Sequence, residues 1–178
     1  MALKLVILDR DGVLNGDRSD YVKTPEELVL IPGAAAAVGR LIQAGLLTAL
    51  ATNQACVAKG LVSLATLDAI HEKLNAELAE AGGRLDRIYV APEASDAPNG
   101  RRKPSPAMLL EAMHNLGAQP AETLFIGDAE RDWAAAEAAG VRFLLVRTGH
   151  GRKTEAALAG KGAPAFDDLA QAVAFLLT

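Results

Sequence analysis

The stretch Leu3-Lys4-Leu5-Val6-Ile7-Leu8-Asp9-Arg10-Asp11-Gly12-Val13-Leu14-Asn15 carries the strongest pattern in the chain. Its first six residues, five of them apolar, fit a strand covered on both faces, as in a parallel sheet. Gly12 marks the turn that ends it. In such sheets ligands gather at the carboxyl ends of the strands. Two carboxylates one residue apart at that end repel each other unless a cation or a proton lies between them. Because the ligands are oxygens, Asp9 and Asp11 point to a hard ion such as Mg2+. Asp-x-Asp alone reads equally well as a solvated turn, so its meaning depends on what the rest of the chain delivers beside it.

Downstream, residues 15–31 are polar first and apolar later, which predicts a loop or small flap beside the first strand's carboxyl end. Pro32-Gly33 ends it, and 34–44 has helical spacing with Val38, Leu41 and Ile42 on one face and Gly45 as the stop. A second strand is expected at 46–51, running into Thr52-Asn53-Gln54. The longest helix spans 63–81, capped by Ser63 or Thr66, with the stripe Leu67, Ile70, Leu74, Leu78. Arg87–Val90 reads as a third strand and 91–103 as an excursion. Ser105-Pro106 opens the next helix and Gly117 closes it. Strands follow at 123–126 and 141–146, separated by an Ala-rich helix at 129–139. A weaker helix near 154–159, a short strand at 163–166 and a last helix at 168–177 complete the chain. Alternating strands and helices predict a three-layer α/β sandwich around a parallel sheet.

At 178 residues, one domain (1–178) is expected, with a sizeable core. Hydrophobic residues make up 51% and aromatics 4%, so Ala, Leu and Val fill the interior. The 18 basic and 22 acidic residues give a net charge of -4, which argues against a general binder of nucleic acid or of an anionic membrane. No apolar run is long enough to span a bilayer, and Asp9 and Asp11 interrupt the N-terminal run where a cleaved signal needs continuity. Cys56 is the single cysteine, which fits a reducing compartment. A cytoplasmic monomer is expected.

If the strands are parallel, one rim of the sheet receives Asp9 and Asp11, then Thr52 and Asn53, then Asp128, with Lys103 arriving from the loop before 105. Carboxylates suit a divalent cation, a hydroxyl and an amide suit phosphate oxygens, and a lysine supplies fixed positive charge. Phosphoryl transfer needs little more, and a carboxylate is a competent nucleophile for it.

With these residues in view the sequence resembles the haloacid dehalogenase superfamily. Its four motifs are matched by Asp9-Arg10-Asp11-Gly12, Thr52-Asn53-Gln54, Arg102-Lys103-Pro104, and Gly127-Asp128 with Asp132. The likeness runs from residue 3 to about 150. Within it, the chain is most similar to the D-glycero-D-manno-heptose 1,7-bisphosphate 7-phosphatases, with histidinol-phosphate phosphatases as close relatives. The resemblance implies a Rossmann-like fold without a large cap, Mg2+ as cofactor and a small phosphorylated sugar as substrate. By the same resemblance Asp9 is nucleophile and metal ligand. Asp11 is the acid and then the base, its carbonyl also binding the metal. Thr52 and Lys103 hold the phosphate, Asp128 completes the metal site, and Asp132 orients Lys103 or the metal's waters. Asn15, Asp17, Asn53, Gln54 and Arg102 are expected to face the substrate. The alternatives are another small phosphomonoester or a non-catalytic phosphate-binding module. An acid/base at Asp11 serves no purpose in the latter.

Two departures stand out. The heptose phosphatases typically carry a zinc loop, Cys-x-His and Cys-x-Cys, whose positions fall here on Ala91, Glu93, Asn99 and Arg101. No zinc is expected, since one cysteine cannot build that tetrahedral site. The loop must then be ordered by other means, such as Pro92, Pro98 and salt bridges, or stay mobile. The usual Ser-Gly after Thr-Asn-Gln is Ala55-Cys56. Cys56 is read as incidental, His71 as a helix-surface or partly packed residue, and His114 as exposed. Trp133 is read as packing and Arg101 as a solvated charge. His150, in a loop on the functional rim, has no role assigned.

Overall fold

The computed structural model describes residues 2–94, 96–97 and 100–178. Its elements alternate in chain order: β1 (Leu5–Leu8), α1 (Ala34–Gln43), β2 (Leu47–Asn53), α2 (Leu64–Glu80), β3 (Arg87–Ala91) and α3 (Ala107–Leu116) come first. β4 (Thr123–Gly127), α4 (Glu130–Ala139), β5 (Arg142–Val146), α5 (Gly151–Ala157), β6 (Ala165–Phe166) and α6 (Leu169–Leu176) follow. The strands form one parallel sheet in the order β3-β2-β1-β4-β5-β6.

Every residue of β1 is buried, because both faces of the sheet are covered. Val6 and Leu8 join Leu50, Ile126 and Val146 in a core closed by Val38 and Leu41 of α1, the α2 stripe, and Leu169 and Val173 of α6. Leu5 and Ile7 point the other way, into a core with Ala49, Ala51, Phe125 and Phe143 under Met108 and Leu109 of α3 and Ala135 and Ala136 of α4. The period-2 alternation of a strand thus splits one apolar run between two cores, which is the three-layer sandwich expected. The small alanines of β2 and α4 let this second layer approach closely, and Phe125 packs edge-on against Phe143 at 6.0 Å.

β1 lies between β2 and β4, with Leu8 opposite both Leu50 and Ile126. The chain therefore leaves β1 in one direction and returns to its other side. That reversal opens a crevice at the carboxyl ends of β1 and β4, the place where open α/β sheets bind ligands. Asp9 and Asp128 emerge there.

Element boundaries differ from expectation in small ways with clear causes. β2 runs on through Thr52 and Asn53, which pair with Val90 and Ala91 of β3. Ser63 caps α2, its Oγ accepting from Thr66 N at 3.0 Å. α3 starts one residue later than the Ser-Pro signal suggests, with Ser105 Oγ accepting from Ala107 N at 3.3 Å. α5 starts at Gly151 because Thr154 N already closes a turn on His150 O. Residues 15–31 form the expected small flap, anchored by buried Val22 and Leu28 and by Lys73 of α2, whose Nζ donates to Pro25 O and Leu28 O. Among the described residues no helix is long and apolar enough to cross a membrane.

Candidate active site

Asp9, one residue past β1, is buried, and its Oδ1 accepts from Arg10 N at 2.7 Å and pairs with Lys103 Nζ at 2.8 Å. Lys103 is also buried and pairs with Asp132 Oδ1 at 2.8 Å, so its ammonium bridges the carboxylates that follow β1 and β4. Burial alone would lower the Lys103 pKa, yet the charges of Asp132 and Asp9 override it and raise it. Asn53 delivers this lysine: its side-chain amide bonds both Lys103 N and Lys103 O at 3.0 Å. Asp132, in the first turn of α4, turns Oδ2 back onto Asp128 N and Ala129 N at 3.2 and 3.0 Å. A carboxylate is favoured at a helix N-terminus. Of the two partners expected for Asp132, Lys103 and the metal's waters, the lysine is the one in contact here.

Asp128 follows β4 and is fully buried. Its Oδ2 accepts from His150 N at 2.7 Å, while Oδ1 has no hydrogen-bond partner among the described residues. Two glycines clear the space around it. A Cβ on Gly12 (φ 84°) would lie 2.2 Å from Asp128 Oδ2, and one on Gly149 (φ 56°) would lie 2.1 Å from it. Burial, then the charges of Asp9 and Asp132, push Asp128 up to about 8. Burial also lifts Asp9 to about 6, although Lys103 pulls it down. Ligand atoms of Asp9, Asp128 and Asp132 lie within 4.8 Å of one another. With one buried lysine for three carboxylates and an unpartnered oxygen on Asp128, the site fits a hard divalent cation held by oxygens. Asp132 already meets Lys103 and two backbone amides, whereas Asp128 keeps an oxygen without a partner among the described residues.

Asp11 is held differently. Its Oδ1 accepts from Asn15 Nδ2 at 2.9 Å and Arg10 Nη2 at 3.1 Å, and its Oδ2 accepts from Gln54 Nε2 at 2.8 Å. Burial would raise its pKa, but Arg10 and the bonds from Asn15 and Gln54 outweigh burial and hold it low. Thr52 is buried at the end of β2, where its Oγ1 accepts from Gln54 Nε2 at 2.9 Å.

Over this floor lies a cleft of about 380 Å3, lined by Asp11, Asp17, Asn53, Arg102, Arg131 and His150 together with Arg18 and Tyr21 of the flap. Asp17, Asn53 and Arg102, expected to face the substrate, line this cleft, with Asp17 pairing with His150 Nε2 at 3.0 Å. Asn15 and Gln54 do not. Both are buried and direct their amides at Asp11, whose carboxylate lines the cleft on one side and accepts these donors from below. The histidine reading is corrected as well. His71 is 5% exposed, and its Nε2 lies 3.2 Å from Arg10 Nη1. Burial, then the Arg10 charge, push it down to about 4. Arg101, read as solvated, pairs with Glu111 of α3.

Sequence reasoning missed Arg10, Arg131 and Tyr21. Arg10 was legible, since an arginine between two motif aspartates directly after a buried strand has nowhere to go but inward. Arg131 was hidden among helix-surface residues of α4. Its pKa is raised because Asp132, Asp9, Asp128 and Asp17 together override burial. Nε of Arg131 and Nη1 of Arg102 are buried without partners among the described residues. Tyr21 adopts the left-handed region (φ 65°) and its hydroxyl accepts from Lys59 Nζ at 2.7 Å, tying the flap to the loop after β2. Cys56 is buried beside Gln54 Oε1 at 3.5 Å, and burial raises its thiol, which disfavours the thiolate.

The loop that replaces the zinc site is tied by Glu93, whose Oε1 accepts from Arg102 N at 2.9 Å, and by the Arg101–Glu111 pair. Pro98 and Asn99 lie outside the described residues.

A family model described as HAD-hydrolase-like matches residues 100–172. The chain is 44% identical over 152 residues to a D-glycero-beta-D-manno-heptose-1,7-bisphosphate 7-phosphatase from Bordetella bronchiseptica, covering 85% of each chain. It is 41% identical over 177 residues to the enzyme of that name from Pseudomonas aeruginosa, covering 99% of each. The crystal structure of the B. bronchiseptica D,D-heptose 1,7-bisphosphate phosphatase complexed with magnesium and phosphate superposes with a TM-score of 0.93 at 42% identity, over 98% of both chains. The four motifs, the parallel sheet and this likeness over nearly the whole length agree: the chain belongs to the heptose-1,7-bisphosphate 7-phosphatase family of haloacid dehalogenase-like hydrolases.

Proposed function

We propose that this chain is a Mg2+-dependent phosphomonoesterase that removes the 7-phosphate from D-glycero-D-manno-heptose 1,7-bisphosphate through an aspartyl-phosphate on Asp9. The observation that carries this reading is the buried Asp9 carboxylate, paired with Lys103 at 2.8 Å beside the unpartnered Oδ1 of Asp128. Asp9 and Asp128, with the Asp11 carbonyl, would hold Mg2+, which supplies charge neutralisation for the phosphate oxygens.

Lys103 and the Thr52 hydroxyl bind and orient the phosphate above Asp9. The free oxygen of Asp9 attacks phosphorus, and the bond to the sugar oxygen breaks. Asp11 gives the leaving oxygen a proton. In the free protein Asp11 is ionised, and the ester supplies that proton: a phosphate monoester has its second pKa near ~6, and its negative charge raises Asp11 as it enters. The vacated Asp11 then takes a proton from water, which attacks phosphorus and frees Asp9. Asn15, Gln54 and Arg10 keep Asp11 in place through both steps. Arg102 and Arg131, with their unpartnered nitrogens, suit the second phosphate of a bisphosphate.

The same reading makes the chain a single domain, monomeric and cytoplasmic, acting on a free sugar phosphate. Phosphate release from the heptose bisphosphate, beside histidinol phosphate and an aryl phosphate, tests it. Release should require Mg2+, stop with EDTA, and fall by several orders of magnitude in Asp9→Asn with the fold intact. Near-normal turnover in that variant would sink the nucleophile assignment.

A further inference from the structure

Arg10 is the bulkiest of the completely buried side chains. A guanidinium offers five N–H donors and is costly to bury unless they are met. One side of it grips Asp11: Nε and Nη2 lie 3.3 and 3.1 Å from Oδ1, and Nη2 lies 3.1 Å from Oδ2. Nη2 also donates to Gln54 Oε1 at 3.0 Å. The remaining corner, Nη1, meets His71 Nε2 at 3.2 Å.

His71 does not come from the rim of the sheet. It sits on α2 beside the stripe Leu67, Ile70, Leu74 and Leu78, all fully or nearly fully buried against the sheet. Its position is therefore set by the packing of α2, a helix that also anchors the flap through Lys73. It does not line the cleft and lies outside the four family motifs.

We propose that His71 is a positioning residue: by accepting from Arg10 Nη1 it fixes the plane of the guanidinium, and the guanidinium fixes the carboxylate of Asp11 for proton transfer. The inference rests on Asp11 being the acid and base. The guanidinium is planar, so holding Nη1 removes rotation about its last single bond, and the edge facing Asp11 follows. The ring must be neutral and carry its proton on Nδ1, because an imidazolium or the other tautomer presents no acceptor to Arg10. Asn15 and Gln54 still hold Asp11 when His71 is lost, so the effect is partial.

The test compares His71→Leu and His71→Met with Asp11→Asn on two substrates. One is the heptose bisphosphate, whose alkoxide must be protonated to leave; the other is p-nitrophenyl phosphate, whose phenolate leaves without a proton. Either His71 variant that folds should lose about 10-fold in kcat/KM on the sugar phosphate and less on the aryl ester, since kcat/KM ends at formation of the aspartyl-phosphate, where only the sugar alkoxide needs the proton. His71→Gln, whose amide oxygen accepts from Arg10, should recover most of the loss. Equal losses on both substrates, or none, while Asp11→Asn discriminates between them, would overturn the role of His71. An Asp11→Asn that penalises both substrates equally in kcat/KM, which ends at formation of the aspartyl-phosphate and so excludes the water step common to both, would overturn the acid role of Asp11 instead. In the wild-type protein, 15N NMR should show His71 with an unprotonated Nε2 at neutral pH. A proton found on Nε2 would overturn the proposal whatever the variants do.

Discussion

Removing divalent metal should make this protein less stable as pH rises from 6.5 to 8. Asp128 is pushed up to about 8, whereas a free aspartate titrates near 3.8. Between those values the folded protein holds a proton on Asp128 that the unfolded chain has released, so stability must fall with rising pH. Above 6.5 this group dominates the slope. Asp9, at about 6, is by then largely ionised, and His71, at about 4, is neutral in the folded state while its unfolded counterpart is still about half protonated at pH 6.5, which opposes the loss by about 0.4 kcal/mol. Below 6.5 His71 works in the opposite sense: its folded pKa is depressed, so its contribution is lost as pH falls. One bound proton costs about 1.4 kcal/mol per pH unit, but a group at about 8 is half ionised at the upper end and His71 opposes it, so the metal-free protein should lose about 1.5 kcal/mol between pH 6.5 and 8. At this chain length that is roughly 3–6 °C in Tm. Mg2+ binds the ionised site, so at 100 times its Kd it should add about 2.7 kcal/mol at pH 8 and less at 6.5. Calorimetry of EDTA-treated protein, with and without Mg2+, measures both. A metal-free Tm that is flat or rises over this interval, or a Mg2+ effect independent of pH, would refute the argument. So would an Asp128→Asn variant that keeps the slope.

Gly149→Ala should lower Mg2+ affinity and cost about 1–3 kcal/mol, since its Cβ would sit 2.1 Å from Asp128 Oδ2 at a positive φ; Mg2+ titration and a melt read both effects. Lys103→Met leaves Asp9 and Asp132 buried without their shared cation, so activity should vanish and urea denaturation should show a loss of about 3–5 kcal/mol in the metal-free protein. Mass spectrometric metal analysis of protein purified without added metal should find no stoichiometric zinc, because Glu93 uses an oxygen to hold Arg102 N and Ala91 and Arg101 offer no zinc ligand.

Much of this was legible in the chain itself. A six-residue apolar run, helical stripes and glycine stops are local signals, and they sufficed for the strands, the helices and the parallel sheet. Asp9 and Asp128 were legible because strands in a parallel sheet end on one rim, and Lys103 because the loop after the third strand starts from that same rim. Directions of side chains were not. Asn15 and Gln54 looked like substrate contacts because they stand in motif loops, yet desolvating Asp11 draws their amides inward. His71 looked like a surface residue because its sequence neighbours do not mention Arg10, which lies 61 positions away.

The amino-acid order thus specified which groups reach one rim of the sheet, because periodicity acts through neighbours along the chain, whereas the reversal that opens the crevice between β1 and β4 belongs to the tertiary structure. How those groups divide the work between them, with Asp9 and Asp128 lifted and Asp11 held low, came from folding alone. A carboxylate's proton affinity depends on the water it has lost and on the charges around it. Those neighbours, Lys103, Arg10 and Asp132, come together only when strands distant in sequence lie side by side.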